Sequence, residues 1–219
     1  MTTKHIILAL SLTTVFASAQ TSVKRDVSKF TKINATGAAH IVYETSPAAA
    51  LTIEGDEAEI KNIETVVKNN VLYIKTKGSF KQPFKIKILN PKLDGLELAG
   101  ASRFEAPKEI VAESFTIKAG GASSIEMPLN AKKVHSDIEG ASSIKLRGNT
   151  NEFVADLSGA SDLKASGLKS LSTSVTASGA SSAQVYASQK ISTSSSGASR
   201  IKFDGNPKNI SKKETSVSK

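Results

Sequence analysis

The sequence predicts an all-β fold, in the form of a single-stranded, right-handed parallel β-helix with coils of about 20 residues. Three observations lead to this prediction. A tripeptide recurs along the second half of the chain, apolar and polar residues alternate on both sides of it, and the repeats differ in length in only one segment. A helical repeat does not fit, because apolar residues do not recur every three or four positions.

The recurring tripeptide is Gly-Ala-Ser, which occurs six times between residues 100 and 199. Its glycines lie 21, 19, 19, 20 and 18 residues apart, a period typical of stacked repeat folds. Because Gly lets a strand bend and a Ser hydroxyl can bond nearby backbone, we expect a structural bend at every copy. The predicted bend residues are Gly100, Gly121, Gly140, Gly159, Gly179, Gly197, Ser102, Ser123, Ser142, Ser161, Ser181 and Ser199.

The alternation around each glycine has a period of two residues. In the repeat of Gly140, Ile138 and Ile144 are apolar, whereas Asp137 and Lys145 are polar. This period indicates strands with one buried face, and strand twist and crossover chirality favour right-handed coiling. Turn residues occupy the segments of variable length, so loops are expected at 107–114, 128–133, 147–152, 166–172 and 186–190.

The first 19 residues are predicted to be a signal peptide, with Lys4 before an apolar run and Ala17-Ser18-Ala19 as the cleavage site. The apolar run is too short for a membrane-spanning helix. We therefore expect an exported protein, periplasmic, on the cell surface or secreted, with no integral membrane segment in the mature chain. The absence of Cys excludes disulfides and thiol chemistry.

The mature chain is predicted to form one β-helical domain over residues 20–207. Residues 20–95 form an irregular, β-rich N-terminal cap with the first coils, and 96–207 hold the regular repeats. Within the cap, Gly37 begins a degenerate copy of the repeat, Asp56 is placed to cap a short helix, and Asn69-Asn70 predicts a hairpin turn. Residues 208–219 are polar and basic, and we expect a disordered tail there.

Four segments together resemble the putative auto-transporter adhesin, head GIN domain family of exported proteins. They are Phe30–Ile33 with Gly37, Ile53–Glu57, Leu72–Thr76 and Leu96–Ser102. The resemblance runs from about Phe30 to Gly205. It implies an extracytoplasmic parallel β-helix with an adhesin-like role and no catalytic residues.

The formal net charge of +9 indicates a solvated basic surface and not a nucleic-acid interface. Nucleic-acid binding favours clustered Arg with stacking aromatic residues, whereas this chain has four scattered Arg residues and no Trp. We predict no nucleic-acid partner, and a surface glycan or an extracellular protein as the partner class.

Candidate chemistry is sparse in the sequence. Lys118, Asp137 and Asp156 fall at the same outward position of successive coils, and His135 lies two residues before Asp137. Paired carboxylates could share a cation or act as a glycosidase pair, but we favour a solvated charge ladder in which Lys118 relieves the repulsion between the aspartates. Six equivalent Ser residues indicate structure, because a nucleophile needs one activated Ser beside a base. We predict no catalytic residue, no metal site and no cofactor.

Two functions remain open from the sequence. The first is an exported, non-enzymatic, adhesin-like module that binds a cell-surface or extracellular component or serves a structural role. The alternative is a polysaccharide lyase or glycosidase, with its groove on the side of Pro107, Pro128 and Arg147. Outward Ser and Thr residues on the late coils, at 172–178 and 192–196, would also suit ice or glycan binding.

Overall fold

The structure is a computed structural model that describes residues 21–80 and 83–215. The predicted signal peptide lies outside these residues. The fold prediction is confirmed: the chain is nearly all β, with 67% strand and 2% helix, and forms a parallel β-solenoid of about six turns with coils of roughly 19 residues.

Seventeen strands and one short helix make up the described chain. The first part contains β1 (Thr21–Arg25), β2 (Lys32–Gly37), β3 (His40–Thr45), β4 (Ala50–Gly55), α1 (Glu57–Ile60), β5 (Ile63–Lys68), β6 (Val71–Thr76) and β7 (Lys85–Asn90). The repeats contain β8 (Gly95–Gly100), β9 (Arg103–Glu105), β10 (Ile110–Ala119), β11 (Ser124–Ile138), β12 (Ser143–Leu157), β13 (Asp162–Ala177), β14 (Ser182–Tyr186), β15 (Lys190–Ser196), β16 (Arg200–Asp204) and β17 (Asn209–Thr215).

The strands stack in two main ladders, one before and one after the Gly-Ala-Ser bend of each coil. The first ladder has the spatial order β5, β6, β2, β8, β10, β11, β12, β13, β15, β17. The second has the order β1, β4, β7, β3, β9, β11, β12, β13, β14, β16. Pairing is parallel throughout, except where β5, β4 and β1 add antiparallel strands at the N-terminal end.

The predicted loops of the variable segment are largely wrong. Segments 128–133, 147–152 and 166–172 lie inside the long strands β11, β12 and β13, which pair with one another along most of their length. Only 107–109 and 187–189 lie outside strands. The repeat that begins at Gly159 is one residue longer than the repeat before it. A shift in register accommodates the extra residue, so that Lys145 pairs with Lys164 but Arg147 pairs with Gly167. Backbone hydrogen bonds to both neighbouring coils therefore keep Pro-, Gly- and Asn-containing segments extended.

The alternation of the sequence matches the burial of side chains. Phe104, Ile125, Ile144 and Leu163, at the same position of successive repeats, are each at most 1% exposed. They form one column of a core that runs the length of the solenoid, and the intervening polar residues face outward. Burying a large apolar side chain in each column stabilises the fold by about 2 kcal/mol per residue.

The N-terminal cap combines predicted and unpredicted features. Asp56 caps α1 through a hydrogen bond from the Ala58 amide, and β5 and β6 form an antiparallel hairpin whose Asn69 and Asn70 have positive φ. The unpredicted feature is the position of the Gly37 coil. It is not the outermost coil, because β2 and β3 lie between β6–β7 and β8–β9.

The C-terminal segment differs from the disordered tail that the sequence predicts. Asn209–Thr215 forms β17, which pairs in parallel with β15 along its whole length. The backbone of β15 offers hydrogen-bonding groups that β17 can use, although all residues of β17 are exposed. Residues 216–219 lie outside the described part of the chain.

Candidate functional site

The glycines predicted to bend each coil form a column on the surface of the solenoid. All six have φ between +71° and +81°, and each is exposed. A Cβ atom on any of them would lie 2.4–2.9 Å from the carbonyl oxygen of the glycine in the preceding coil. The following Ala N–H donates a hydrogen bond of 2.7–2.8 Å to that same oxygen. The bends are therefore stacked backbone on backbone.

The serines of the tripeptide point inward and bond the bend. Five of the six hydroxyls donate to the carbonyl oxygen three residues earlier, over distances of 2.6–3.1 Å. Ser142 is the exception, since its buried hydroxyl has no hydrogen-bond partner within the described chain. The serine hydroxyls thus stabilise the backbone bend of most coils. In the described residues, no basic side chain is hydrogen-bonded to any of these hydroxyls.

Ser161 and Ser142 form a matched pair that tests this role. We expect Ser161→Ala to lower the free energy of unfolding by about 1 kcal/mol, because its hydroxyl bonds the Ser158 carbonyl at 2.6 Å. Ser142→Ala should leave stability unchanged or raise it slightly, because the lost hydroxyl is unpartnered. Urea unfolding of both variants measures the difference, and equal losses would contradict the assignment.

The outward surface of the first ladder is a long polar strip, which we name face 1. Its central row follows the strand register from one coil to the next. In spatial order the row is Val66, Tyr73, Asn34, Glu97, Lys118, Asp137, Asp156, Thr176, Ser194 and Lys213. Ten strands spaced by about 4.8 Å give the row a length of roughly 40 Å. A row of this length could contact several units of an extended polymer at once.

A shallow groove of about 280 Å³ crosses face 1 near its N-terminal end. Its floor is open because Gly95 has no side chain between Lys32 and Thr116, its neighbours in the ladder. Tyr73 and Lys118 line the groove, together with Asn34 and Glu97. Tyr73 is 40% exposed, and the neighbouring Val66 is 57% exposed. The groove thus combines an exposed aromatic ring with amide, carboxylate and ammonium groups.

A second cluster lies at the centre of face 1. His135 and Asp137 project outward from β11, and β12 places Asp156 opposite Asp137. One ligand atom from each of the three side chains lies within 4.8 Å of the others, and His135 Nε2 is 3.1 Å from Asp137 Oδ1. Lys118, predicted to relieve the repulsion between the aspartates, forms no ion pair within 4.0 Å in the described chain, although it pairs with Asp137 in register.

The outward surface of the second ladder, which we name face 2, is arranged differently. Several of its carboxylates are held in ion pairs with nearby basic side chains, such as Glu126 with Lys145 at 2.9 Å. The hydrogen bond from Lys145 holds the pKa of Glu126 below its usual value. His40 also lies on face 2, where burial lowers its pKa and Glu105, 3.7 Å away, acts in the opposite direction. These charges neutralise one another.

A second depression lies on the side where the enzyme alternative places its groove. Residues from β11, β12 and β13 line it, together with Tyr186 and Ser188, and the lining contains Asn130, Asn149, Asn151 and Lys169. Lys169 Nζ lies 4.0 Å from the centre of the Tyr186 ring. None of the lining residues described there is a carboxylate. The pair of acids that glycoside hydrolysis requires is therefore missing from this depression.

The Ser and Thr array of the late coils lies on face 1, on β13 and β15. The structure adds a third strand to it, because Ser211, Lys213 and Thr215 of β17 pair with Ser192, Ser194 and Ser196. The array is interrupted by Lys213, so it forms a hydrated polar end of face 1 and not a uniform lattice of hydroxyls.

Sequence reasoning missed the Tyr73 groove. The alternation in Val71–Thr76 places Tyr73 outward, since Leu72 and Ile74 are buried, so one signal was present. The sequence could not predict the rest of the groove, because Gly95 and Asn34 lie near Tyr73 only through the interleaved Gly37 coil.

Comparisons with known proteins agree with this architecture. The family model described as putative auto-transporter adhesin, head GIN domain, matches residues 29–207. No curated protein matches the chain. In the described residues, no helix has the length and apolar character needed to cross a bilayer.

Several solved structures share the fold at low sequence identity. A putative adhesin from Bacteroides fragilis has a TM-score of 0.87 at 22% identity, covering 92% of this chain and 95% of its own. A putative lipid binding protein from Parabacteroides distasonis has a TM-score of 0.66 at 19% identity, with coverages of 90% and 94%. A putative adhesin from Parabacteroides merdae has a TM-score of 0.63 at 18% identity, with coverages of 90% and 95%.

Proposed function

Because the chain belongs to the putative auto-transporter adhesin, head GIN domain family, we propose that it is an exported, non-enzymatic module that binds an extracellular polymer through face 1. Residues 1–19 act as the signal peptide in this proposal, and the binding domain extends from residue 20 to the solenoid's C-terminal end. The observation that carries the proposal is the Tyr73 groove, which opens onto the row of outward residues from Val66 to Lys213 that crosses all ten strands of the first ladder.

A glycan is the polymer that this groove suits best. The apolar C–H face of a sugar ring can stack on the exposed ring of Tyr73, while its hydroxyls can bond to Asn34, Glu97 and Lys118. Each contact of this kind is weak. A groove that continues into a polar row of roughly 40 Å allows several weak contacts to act together on one chain.

The alternative of a polysaccharide-acting enzyme has less support. Lyase or glycosidase chemistry needs acidic and basic groups that converge on one bond of the substrate. The depression on the predicted side is lined by amides, hydroxyls and Lys. The carboxylates of face 1 lie on an exposed flat surface that does not enclose a substrate or exclude water.

A glycan array probed with the purified protein tests the proposal. We expect saturable binding to one class of glycan without turnover, and we expect Tyr73→Ala to weaken that binding at least about tenfold, because the stacking surface is lost. Tyr186→Ala is the matched control, since Tyr186 lines the depression on the other side of the coil. Equal losses in both variants would contradict binding at face 1, and release of shortened glycans would favour the enzyme alternative.

A further inference from the structure

We infer that His135, Asp137 and Asp156 form a binding site for one divalent transition-metal ion, with Zn²⁺ as the representative ion. This site is separate from the Tyr73 groove, and it does not depend on the proposed glycan binding. It also revises the expectation from the sequence that these residues form only a solvated charge ladder.

The backbone fixes the three side chains in one place. His135 and Asp137 are two residues apart on β11, so both point outward from the same strand. The parallel register places Asp156 of β12 directly opposite Asp137. Both strands have paired neighbours on either side, so little backbone entropy is lost when an ion binds. The ligand atoms lie within 4.8 Å of one another, a separation that small rotations of the side chains bring within reach of one ion.

A comparison within the molecule shows that the two aspartates lack the ion pairs that another pair of opposed carboxylates forms. Glu105 and Glu126 on face 2 are also directly opposite each other. In that pair the repulsion is offset by basic side chains: Arg103 pairs with Glu105, and Lys145 and Arg147 pair with Glu126. Like charges that lie directly opposite each other on neighbouring strands destabilise a sheet. On face 2, basic side chains offset this repulsion.

The two aspartates form no such ion pairs with Lys or Arg in the described chain, although Lys118 lies opposite Asp137 in the strand register. In the described chain, Asp156 forms no ion pair within 4.0 Å, and the only partner of Asp137 is the imidazole of His135. A bound divalent ion would supply the positive charge that Lys and Arg supply on face 2. The imidazole would then act as a third ligand.

The donor set indicates which class of ion fits. One imidazole nitrogen and two carboxylates are ligands typical of Zn²⁺ and related transition metals, whereas Ca²⁺ and Mg²⁺ favour oxygen ligands alone. His135 and Asp137 are partly exposed, so water can fill the remaining coordination positions. An open site with three protein ligands binds more weakly than a closed site with four.

Titration calorimetry of the purified protein with ZnCl₂ tests the inference. We expect saturable binding of one equivalent, and at least about tenfold weaker binding after His135→Ala or Asp156→Asn, because each removes one ligand. His40→Ala is the matched control, because His40 is partly exposed beside Glu105 on face 2 and should leave Zn²⁺ affinity unchanged. Melting temperatures of all variants establish that they remain folded.

Co²⁺ absorption gives an independent readout of the ligands. Bound Co²⁺ should show d–d bands that change in His135→Ala and stay the same in His40→Ala. The inference is overturned if the unaltered protein shows no saturable binding of Zn²⁺, or if His135→Ala and Asp156→Asn bind the ion as tightly as the unaltered protein does.

Discussion

Replacing Gly159 by Val is expected to lower the free energy of unfolding by about 3 kcal/mol and the melting temperature by about 6–12 °C. Two effects add at this position. Gly159 has φ of +77°, a conformation that a β-branched residue adopts only with strain. A Cβ atom there would lie 2.6 Å from the carbonyl oxygen of Gly140, which is backbone and cannot rotate away.

A second glycine separates the two effects. Gly78 has nearly the same φ, +79°, but no atom lies within 4 Å of its added Cβ. Gly78→Ala therefore reports the backbone strain alone, whereas Gly159→Ala reports the strain and the clash together. Thermal unfolding should show a clearly larger loss for Gly159→Ala. Equal losses would mean that close stacking of the coils contributes nothing to the need for glycine.

Replacing Asn90 by Ala is expected to have a similarly large effect, about 3 kcal/mol of unfolding free energy. Asn90 is fully buried at the end of β7, and its side chain links Phe30, 60 residues away, to the nearby Lys92. Its Nδ2 donates to the carbonyls of Phe30 at 2.7 Å and Lys92 at 2.6 Å, and its Oδ1 accepts from the Phe30 amide at 3.4 Å. Removing the side chain leaves buried backbone groups without partners.

The exposed Asn149 provides the control for Asn90. Asn149→Ala should change stability by less than about 0.5 kcal/mol, as surface substitutions usually do. Hydrogen exchange gives a local readout, because the Phe30 amide should lose protection in Asn90→Ala. If that amide kept its protection while stability fell, the loss would come from a cavity and not from the hydrogen bonds.

The regular half of the solenoid was predictable because every coil repeats the same local sequence pattern. The period of the Gly-Ala-Ser tripeptide fixed the coil length, and the alternation of residues identified the core columns, including Ile125 and Ile144. The hairpin at Asn69-Asn70 and the cap at Asp56 were predictable for a related reason. Both depend on residues that are adjacent in sequence.

The remaining features depend on contacts between distant segments. Segments such as 147–152 contain turn residues, yet hydrogen bonds to neighbouring coils hold them extended, so local propensity gave the wrong structure. The Tyr73 groove was hidden because its parts come from four strands whose spatial order differs from their order in the chain. For His135, Asp137 and Asp156, the alternation predicted the outward direction and the period predicted neighbouring coils, but neither could show which basic side chains come within reach of the aspartates.

The interleaved coil of β2 and β3 has a consequence for how the chain folds as it is made. Both parallel neighbours of β2 are synthesised after it, β6 at residues 71–76 and β8 at residues 95–100. A chain that emerges from its N-terminus must therefore keep β2 unpaired until a long intervening loop closes, which is the slow, entropically costly step of high contact order. Each later coil docks on one that is already finished, roughly 19 residues behind it. We therefore expect this closure to be the slow step of folding, with the later coils adding to it in one direction.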